Sequence, residues 1–224
     1  MNMQKGLVLL LVSLMACSHE SEVTANGVSL FKDSDPLVEL FDLASKKNAS
    51  KLESMREVVN ASTNNTLRRA YPVALFIAAP SQYEQEFVET FPVDHNGLME
   101  ELYGLELKQL TPRFLYSVIA LGKIADKGNE KAIQKVLQAN THSDGVVGEL
   151  LCETFTNLLQ DQPRKTLIEL SALSANDRGK NYSCLKLLSP ENLRSLRKRL
   201  GQISQETSDR EKAVVRQIEL YPAD

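Results

Sequence analysis

Residues 111–173 read TPRFLYSVIALGKIADKGNEKAIQKVLQANTHSDGVVGELLCETFTNLLQDQPRKTLIELSAL. Four helices follow one another in this stretch. Thr111-Pro112 opens the first, because proline's fixed φ suits the first helical position. Leu115, Val118, Ile119, Leu121 and Ile124 then recur at helical spacing, which predicts one buried side. Lys127-Gly128 closes it, glycine taking the left-handed conformation that ends a helix. Asn129 caps the second helix, whose apolar positions are Ala132, Ile133, Val136 and Leu137. Ser143 or Asp144 starts the third, through Val147, Leu150, Leu151, Phe155, Leu158 and Leu159. Pro163 leads the fourth, with Leu167, Ile168, Leu170 and Leu173. Strict two-residue alternation and dense β-branched runs between turn signals do not occur, so strands are not expected.

The same punctuation extends outward. Asp35-Pro36 precedes Leu37, Leu40, Phe41 and Ala44. Ser50-Lys51-Leu52-Glu53 fits a capping box, followed by Met55, Val58 and Val59. A segment from Thr66 to Ala79 contains Pro72, which predicts a kink or a late start. Ser81-Gln82-Tyr83-Glu84 fits a second capping box, and Pro92 to Gly97 a loop. Beyond 173, the Asn/Gly/Ser-rich stretch 174–183 reads as irregular with a short helical turn. Ser189-Pro190 opens a helix with Leu193, Leu196 and Leu200. Ser208-Asp209-Arg210-Glu211 is a third capping box, before Val214, Val215 and Ile218. The expected fold is all-α: an α-α superhelix or irregular array of about ten short helices in one domain over 31–224, with a closed orthogonal bundle as the alternative. Paired helices, a proline near a start, and small residues such as Ala120 and Gly122 give 111–173 a resemblance to HEAT-type repeats. It covers under a third of the chain. Stacked helical pairs of that kind present an extended face for binding protein or peptide.

Composition fits helix-on-helix packing: hydrophobic residues make up 42%, aromatic residues only 6%, and Trp is absent. The formal net charge of -3 gives no general electrostatic attraction to nucleic acid, so nucleic acid is not an expected partner. After residue 16, no segment approaches the roughly 20 apolar residues that span a bilayer.

Residues 1–17, MNMQKGLVLLLVSLMAC, combine a positive Lys5, an apolar run from Leu7 to Met15 too short to span a membrane, and the tetrapeptide Leu14-Met15-Ala16-Cys17. This segment resembles the signal and lipobox of bacterial lipoproteins. The resemblance implies that 1–16 are removed as a signal peptide and that Cys17 is acylated. The chain would then be held in the bilayer on the periplasmic side of the cell envelope. Ser18, rather than Asp, after the cysteine favours the outer membrane under the enterobacterial sorting rule. Residues 17–30 are the expected lipid anchor and flexible tether, being polar and without periodicity.

Two cysteines remain, Cys152 and Cys184. In an oxidising compartment they form either one disulfide or two buried thiols. A bond would close a loop of about 30 residues and stabilise by about 3 kcal/mol in the chain-entropy model.

Chemistry-bearing patterns are sparse. The three histidines, His19, His95 and His142, are far apart and in no H-E-x-x-H arrangement. Nucleophile-elbow and phosphate-loop motifs are missing, and no cofactor is expected. Asp94 and His95, with Tyr83 and Tyr103, are the only acid–base candidates, against the ordinary reading of Asp-His-Asn-Gly as a solvated turn. Arg194, Arg197 and Lys198 share one helix face as a candidate partner-binding patch. Asn48, Asn60, Asn64 and Asn181 begin N-x-Ser/Thr triplets, to which a bacterial signal gives no glycosylation role. The expected function is therefore non-enzymatic: a protein-binding scaffold or adaptor in the envelope. The alternatives are an immunity protein against a periplasmic antibacterial toxin and an envelope carbohydrate-active enzyme.

Overall fold

The structure, a computed structural model, describes residues 35–94, 97, 98, 100, 101 and 110–222. Cys17, His19, His95 and Tyr103 lie outside the described residues. Within them the chain is all-α, with twelve helices, one 3-10 turn and no strand.

The first five helices are α1 (Pro36–Ser45), α2 (Ala49–Ser54), α3 (Arg56–Ala61), α4 (Asn65–Ala78) and α5 (Pro80–Thr90). Helix α4 is their centre and packs against the other four. From Ala70 to Phe76 it is buried on every side, which an apolar run without a polar face permits only in a core. The helix runs through Pro72, where proline removes one i→i−4 bond. Tyr71 donates its hydroxyl proton to the Leu52 carbonyl at 2.8 Å, satisfying both groups inside the core. Two starts differ from the capping-box reading. Asn48, not Ser50, caps α2 by accepting from the Lys51 N–H, and α5 begins at Pro80, one residue ahead of Ser81. A proline ready for the first turn outranks a serine after it. The helix expected through Val59 is also broken at Met55, which separates α2 from α3 and buries its own side chain.

Residues 111–173 form α6 (Thr111–Asp126), α7 (Glu130–Asn140), α8 (Gly145–Asp161) and α9 (Pro163–Ala172). Helices α4, α6 and α8 contact one another in succession as one row, and α5, α7 and α9 as a second row. Gly128 ends α6 at φ +84°, donating its N–H to the Ala125 carbonyl at 2.7 Å. At Gly122 the neighbouring helix comes close: a Cβ there would meet Thr154 Oγ1 at 3.0 Å. Two residues read as buried are not: Ile119 is 40% and Ile168 52% exposed. Each falls at the edge of its apolar stripe. In α6 the core positions are Phe114, Ser117, Val118, Leu121 and Ile124, which turns Ile119 outward.

The chain ends with α10 (Ala175–Ser183), a 3-10 turn (Cys184–Leu187), α11 (Pro190–Ser204) and α12 (Asp209–Leu220). Helix α10 packs on α7, the 3-10 turn on α8, and α12 on both α9 and α11. The stretch read as irregular is thus a regular helix. Ser174 caps it, accepting from the Asp177 N–H at 3.2 Å while its hydroxyl donates to Asp177 Oδ2 at 2.7 Å. Ser208 and Glu211 make the same pairing at the start of α12. Helix α10 escaped the periodicity because its buried positions are Asn181 and Tyr182 rather than aliphatic residues.

Tyr182 ties α10 to α12 by donating its hydroxyl to Gln217 Oε1 at 3.1 Å. Burial, which disfavours the phenolate, pushes its pKa up from 10.0 to about 12. A raised folded-state pKa means that the fold keeps this contribution below pH 10.0 and loses it as pH rises towards about 12. The expected loss is on the order of 2 kcal/mol. Thermal melts of the chain and of Tyr182→Phe between pH 9 and 12 check this. The variant should show a shallower alkaline fall, and parallel curves would refute the assignment.

Candidate functional site

The α7–α8 junction and helix α10 face each other across an open groove of about 1130 Å³. One wall is the turn Thr141-His142-Ser143-Asp144 with the first turns of α8. The other is the face of α10 that carries Asn176, Gly179, Lys180 and Ser183. Helical spacing explains both walls: Gly145, Gly148, Glu149 and Cys152 follow the i, i+3, i+4, i+7 spacing of one face of α8, as do the α10 positions. Leu187, 59% exposed, stands at one edge as an apolar contact.

The turn is built from the end of α7. Its last carbonyls have no partners within the helix and must find them elsewhere. Gln138 accepts from the Thr141 N–H and hydroxyl at 3.1 and 2.7 Å. Ala139 accepts from the His142 N–H and the Ser143 hydroxyl at 3.0 and 2.8 Å. Across the groove, Lys180 Nζ donates to the Thr141 carbonyl at 2.8 Å and fixes the turn to α10. Gly145 sits at φ +51°, and a Cβ on it or on Gly179 would meet nothing within 4 Å. Both walls therefore leave bare backbone open to a ligand.

Under the groove lies a buried polar chain. Asn181 Nδ2 donates to the Leu137 and Asp177 carbonyls at 3.1 and 3.0 Å. Its Oδ1 accepts from Asn140 Nδ2 at 3.0 Å, and the same Asn140 amide donates to Cys184 Sγ at 3.1 Å. Cys152 and Cys184 form a disulfide with Cα atoms 5.0 Å apart, joining α8 to the 3-10 turn. That separation is ordinary for a disulfide.

Of the sequence-selected residues, Cys152 and Cys184 meet at this groove, whereas the described acid–base candidates, Asp94 and Tyr83, do not line it. Asp94 accepts from the Gly97 N–H at 3.0 Å and pairs with Arg69, whose Nη2 donates to the Asp94 carbonyl at 2.6 Å. A Cβ on Gly97 would come within 2.5 Å of Asp94 Oδ2, so a larger residue there would push the carboxylate aside. Arg69 also binds Glu101 at 3.0 Å, and Thr66 donates to the same carboxylate. Tyr83 is elsewhere: it is buried and donates to Glu53 Oε2 at 3.1 Å. Glu53 and Glu86 both grip Arg56, which lies over the Tyr71 ring at 5.6 Å. Hydrogen bonding from Arg56 draws the Glu53 carboxyl down, while burial raises the Tyr83 hydroxyl. These charges bind α2, α3, α4 and α5 together.

Of the basic cluster, Arg194 and Lys198 are exposed on α11. Arg197 is half-buried and holds the end of α12, donating to the Ile218 and Tyr221 carbonyls. Arg199 does the same for Gln160 at the end of α8. Among the described residues, no three His, Cys, Asp or Glu side chains gather to hold a metal ion. No helix of the described residues is long and apolar enough to cross a membrane. Asn140 and Asn181 were the residues missed. The only signal for them was a polar amide at an inward-facing helix position, and for Asn181 a sequon pattern of no structural meaning.

Asn181→Ala should destabilise the fold by about 2–3 kcal/mol, since it leaves buried groups on α7 and α10 without their partner. Urea unfolding followed by helical circular dichroism measures it, and a change below about 0.5 kcal/mol, the range of ordinary surface substitutions, would refute the network's role. Compared with protein-family models, with curated proteins and with solved structures, the chain matches none.

Proposed function

We propose that this chain is a lipid-anchored protein of the bacterial cell envelope that binds an extended polypeptide segment in the groove between the α7–α8 junction and α10. The observation that carries the reading is the groove itself: about 1130 Å³, open, and walled in part by bare glycine backbone. Small-molecule sites are concave, mostly apolar, and bury most of their ligand. This groove is broad and mixed in polarity. Gly145 and Gly179 let another main chain approach closely, Leu187 offers one apolar contact, Asn176 offers a side-chain amide, and Ser183, whose hydroxyl donates to the Lys180 carbonyl at 2.6 Å, can accept. A two-row helical array is suited to such binding, since its rows hold a surface rigid without consuming it. The anchor rests on Leu14-Met15-Ala16-Cys17 and its preceding apolar run. Acyl chains on Cys17 would contribute about 0.8 kcal/mol per buried CH₂ and keep the groove at the membrane surface.

Two measurements test the two halves of this reading. Cells fed an alkyne fatty acid should label the full chain, and Cys17→Ser should abolish the label. Equal labelling of both would overturn the anchor. For the groove, a photo-crosslinking side chain is placed at exposed Asn176 and, as a control, at exposed Glu57 on α3. A discrete protein adduct from position 176, absent from position 57 and lost with Gly179→Trp, supports binding. Adducts that are the same from both positions, or unaffected by the tryptophan, overturn it.

A further inference from the structure

We propose that the Cys152–Cys184 pair is a thiol–disulfide exchange site. An incoming dithiol attacks Cys152, and Asn140 holds the departing Cys184 thiolate. This goes beyond polypeptide binding and requires no occupant in the groove.

The two sulfurs are unequal. Both cysteines line the groove, but Cys152 is half-buried whereas Cys184 is only 1% exposed. A thiolate arriving from solvent therefore meets Cys152 first. The orientation of the Asn140 amide is dictated from below. The Leu137 and Asp177 carbonyls can only accept, so they take Asn181 Nδ2. Asn181 must then present Oδ1 to Asn140, and Asn140 must answer with Nδ2. The same nitrogen also donates to Cys184 Sγ, 3.1 Å away. The other end of the amide, Oδ1, lies 3.7 Å from Cys152 Sγ.

In the oxidised pair this arrangement gains little, because a disulfide sulfur is a weak acceptor and carries no proton for Oδ1. In the reduced pair both ends of the amide are used. A Cys184 thiolate accepts a charge-assisted bond from Nδ2, and a Cys152 thiol donates to Oδ1. Asn140 is buried at the floor of the groove, where the lower local dielectric strengthens the bonds its amide makes. Stabilising the leaving thiolate speeds exchange, since a better leaving group departs faster.

One thiolate of the dithiol attacks Cys152 Sγ. A sulfur–sulfur bond forms to the dithiol, the Cys152–Cys184 bond breaks, and its electron pair goes to Cys184 Sγ. The second thiol of the dithiol loses its proton to solvent and attacks the sulfur of its own molecule joined to Cys152. This closes a disulfide in the dithiol and releases Cys152 as a thiolate, which takes a proton from water. The dithiol is oxidised by two electrons and the protein disulfide is reduced by two.

The test uses the full chain with its disulfide intact, without denaturant. Glutathione is added, the mixture is quenched with acid, and the adduct is located by peptide mass. Dithiothreitol titrations then give the reduction midpoint for the unaltered chain, Asn140→Ala and Asn140→Asp. The adduct is expected on Cys152, with helical circular dichroism retained on reduction. Both variants are expected to lower the equilibrium constant for reduction at least tenfold, about 30 mV for a two-electron couple. An adduct on Cys184 overturns the proposal. So does a disulfide that is reduced only where denaturant has removed the helical signal, or a midpoint unmoved in a folded Asn140 variant. If the Asn140 variants fail to fold, adduct mapping on the unaltered chain decides the matter.

Discussion

Helix α7 is the constraint on which the rest depends. It is eleven residues long and packs against α5, α6, α8, α9 and α10. Ala132, Ile133, Val136, Leu137 and Ala139 are all shielded from solvent. So short a helix has few backbone bonds of its own, and its stability comes from its neighbours. Asn140 and Thr141 at its C-terminal end are buried, so the carbonyls released there must be satisfied by something outside the helix. Asn181, Thr141, His142 and Ser143 do this for Leu137, Gln138 and Ala139, and Lys180 holds the Thr141 carbonyl just beyond. The groove walls and the buried amide chain are two results of one requirement, the closing of α7.

Most helices were legible because their boundaries carry local chemistry. Asp35 before Pro36, Asn129, Pro163, Ser189 before Pro190 and Ser208 act where the pattern places them, each satisfying an orphan N–H or fixing φ at a first turn. The errors also have local causes. Ile119 and Ile168 sit at stripe edges, where the choice between core and solvent is made by the neighbouring helix and not by spacing. Helix α10 was lost because it buries amides and a phenol, which a hydrophobic pattern does not count.

The site was legible only in fragments. Cys152 and Cys184 stood out as the cysteines left beside Cys17, but nothing local said that a turn and a 3-10 segment bring them within 5.0 Å. Asn140 reads as an ordinary last residue of a helix. Its role exists only because Asn181, forty-one positions later, meets it in the core. Asp94, Tyr83 and Arg197 show the converse. Their residue types suggest chemistry or recognition, yet each closes a helix end or ties helices together. A polar side chain is assigned by its partners, and partners distant in sequence are invisible until the chain is folded.

The Cys152–Cys184 bond spans thirty-two positions and encloses most of α8, all of α9 and all of α10. It is therefore a mechanical short circuit. Tension applied between the two ends of the chain passes from α8 directly into the 3-10 turn, and the enclosed helices carry none of it. With the bond open, the same pull runs through every residue of that loop. The length of chain that force can draw out, and the order in which helices yield, would then be set by a single covalent link on the edge of the groove.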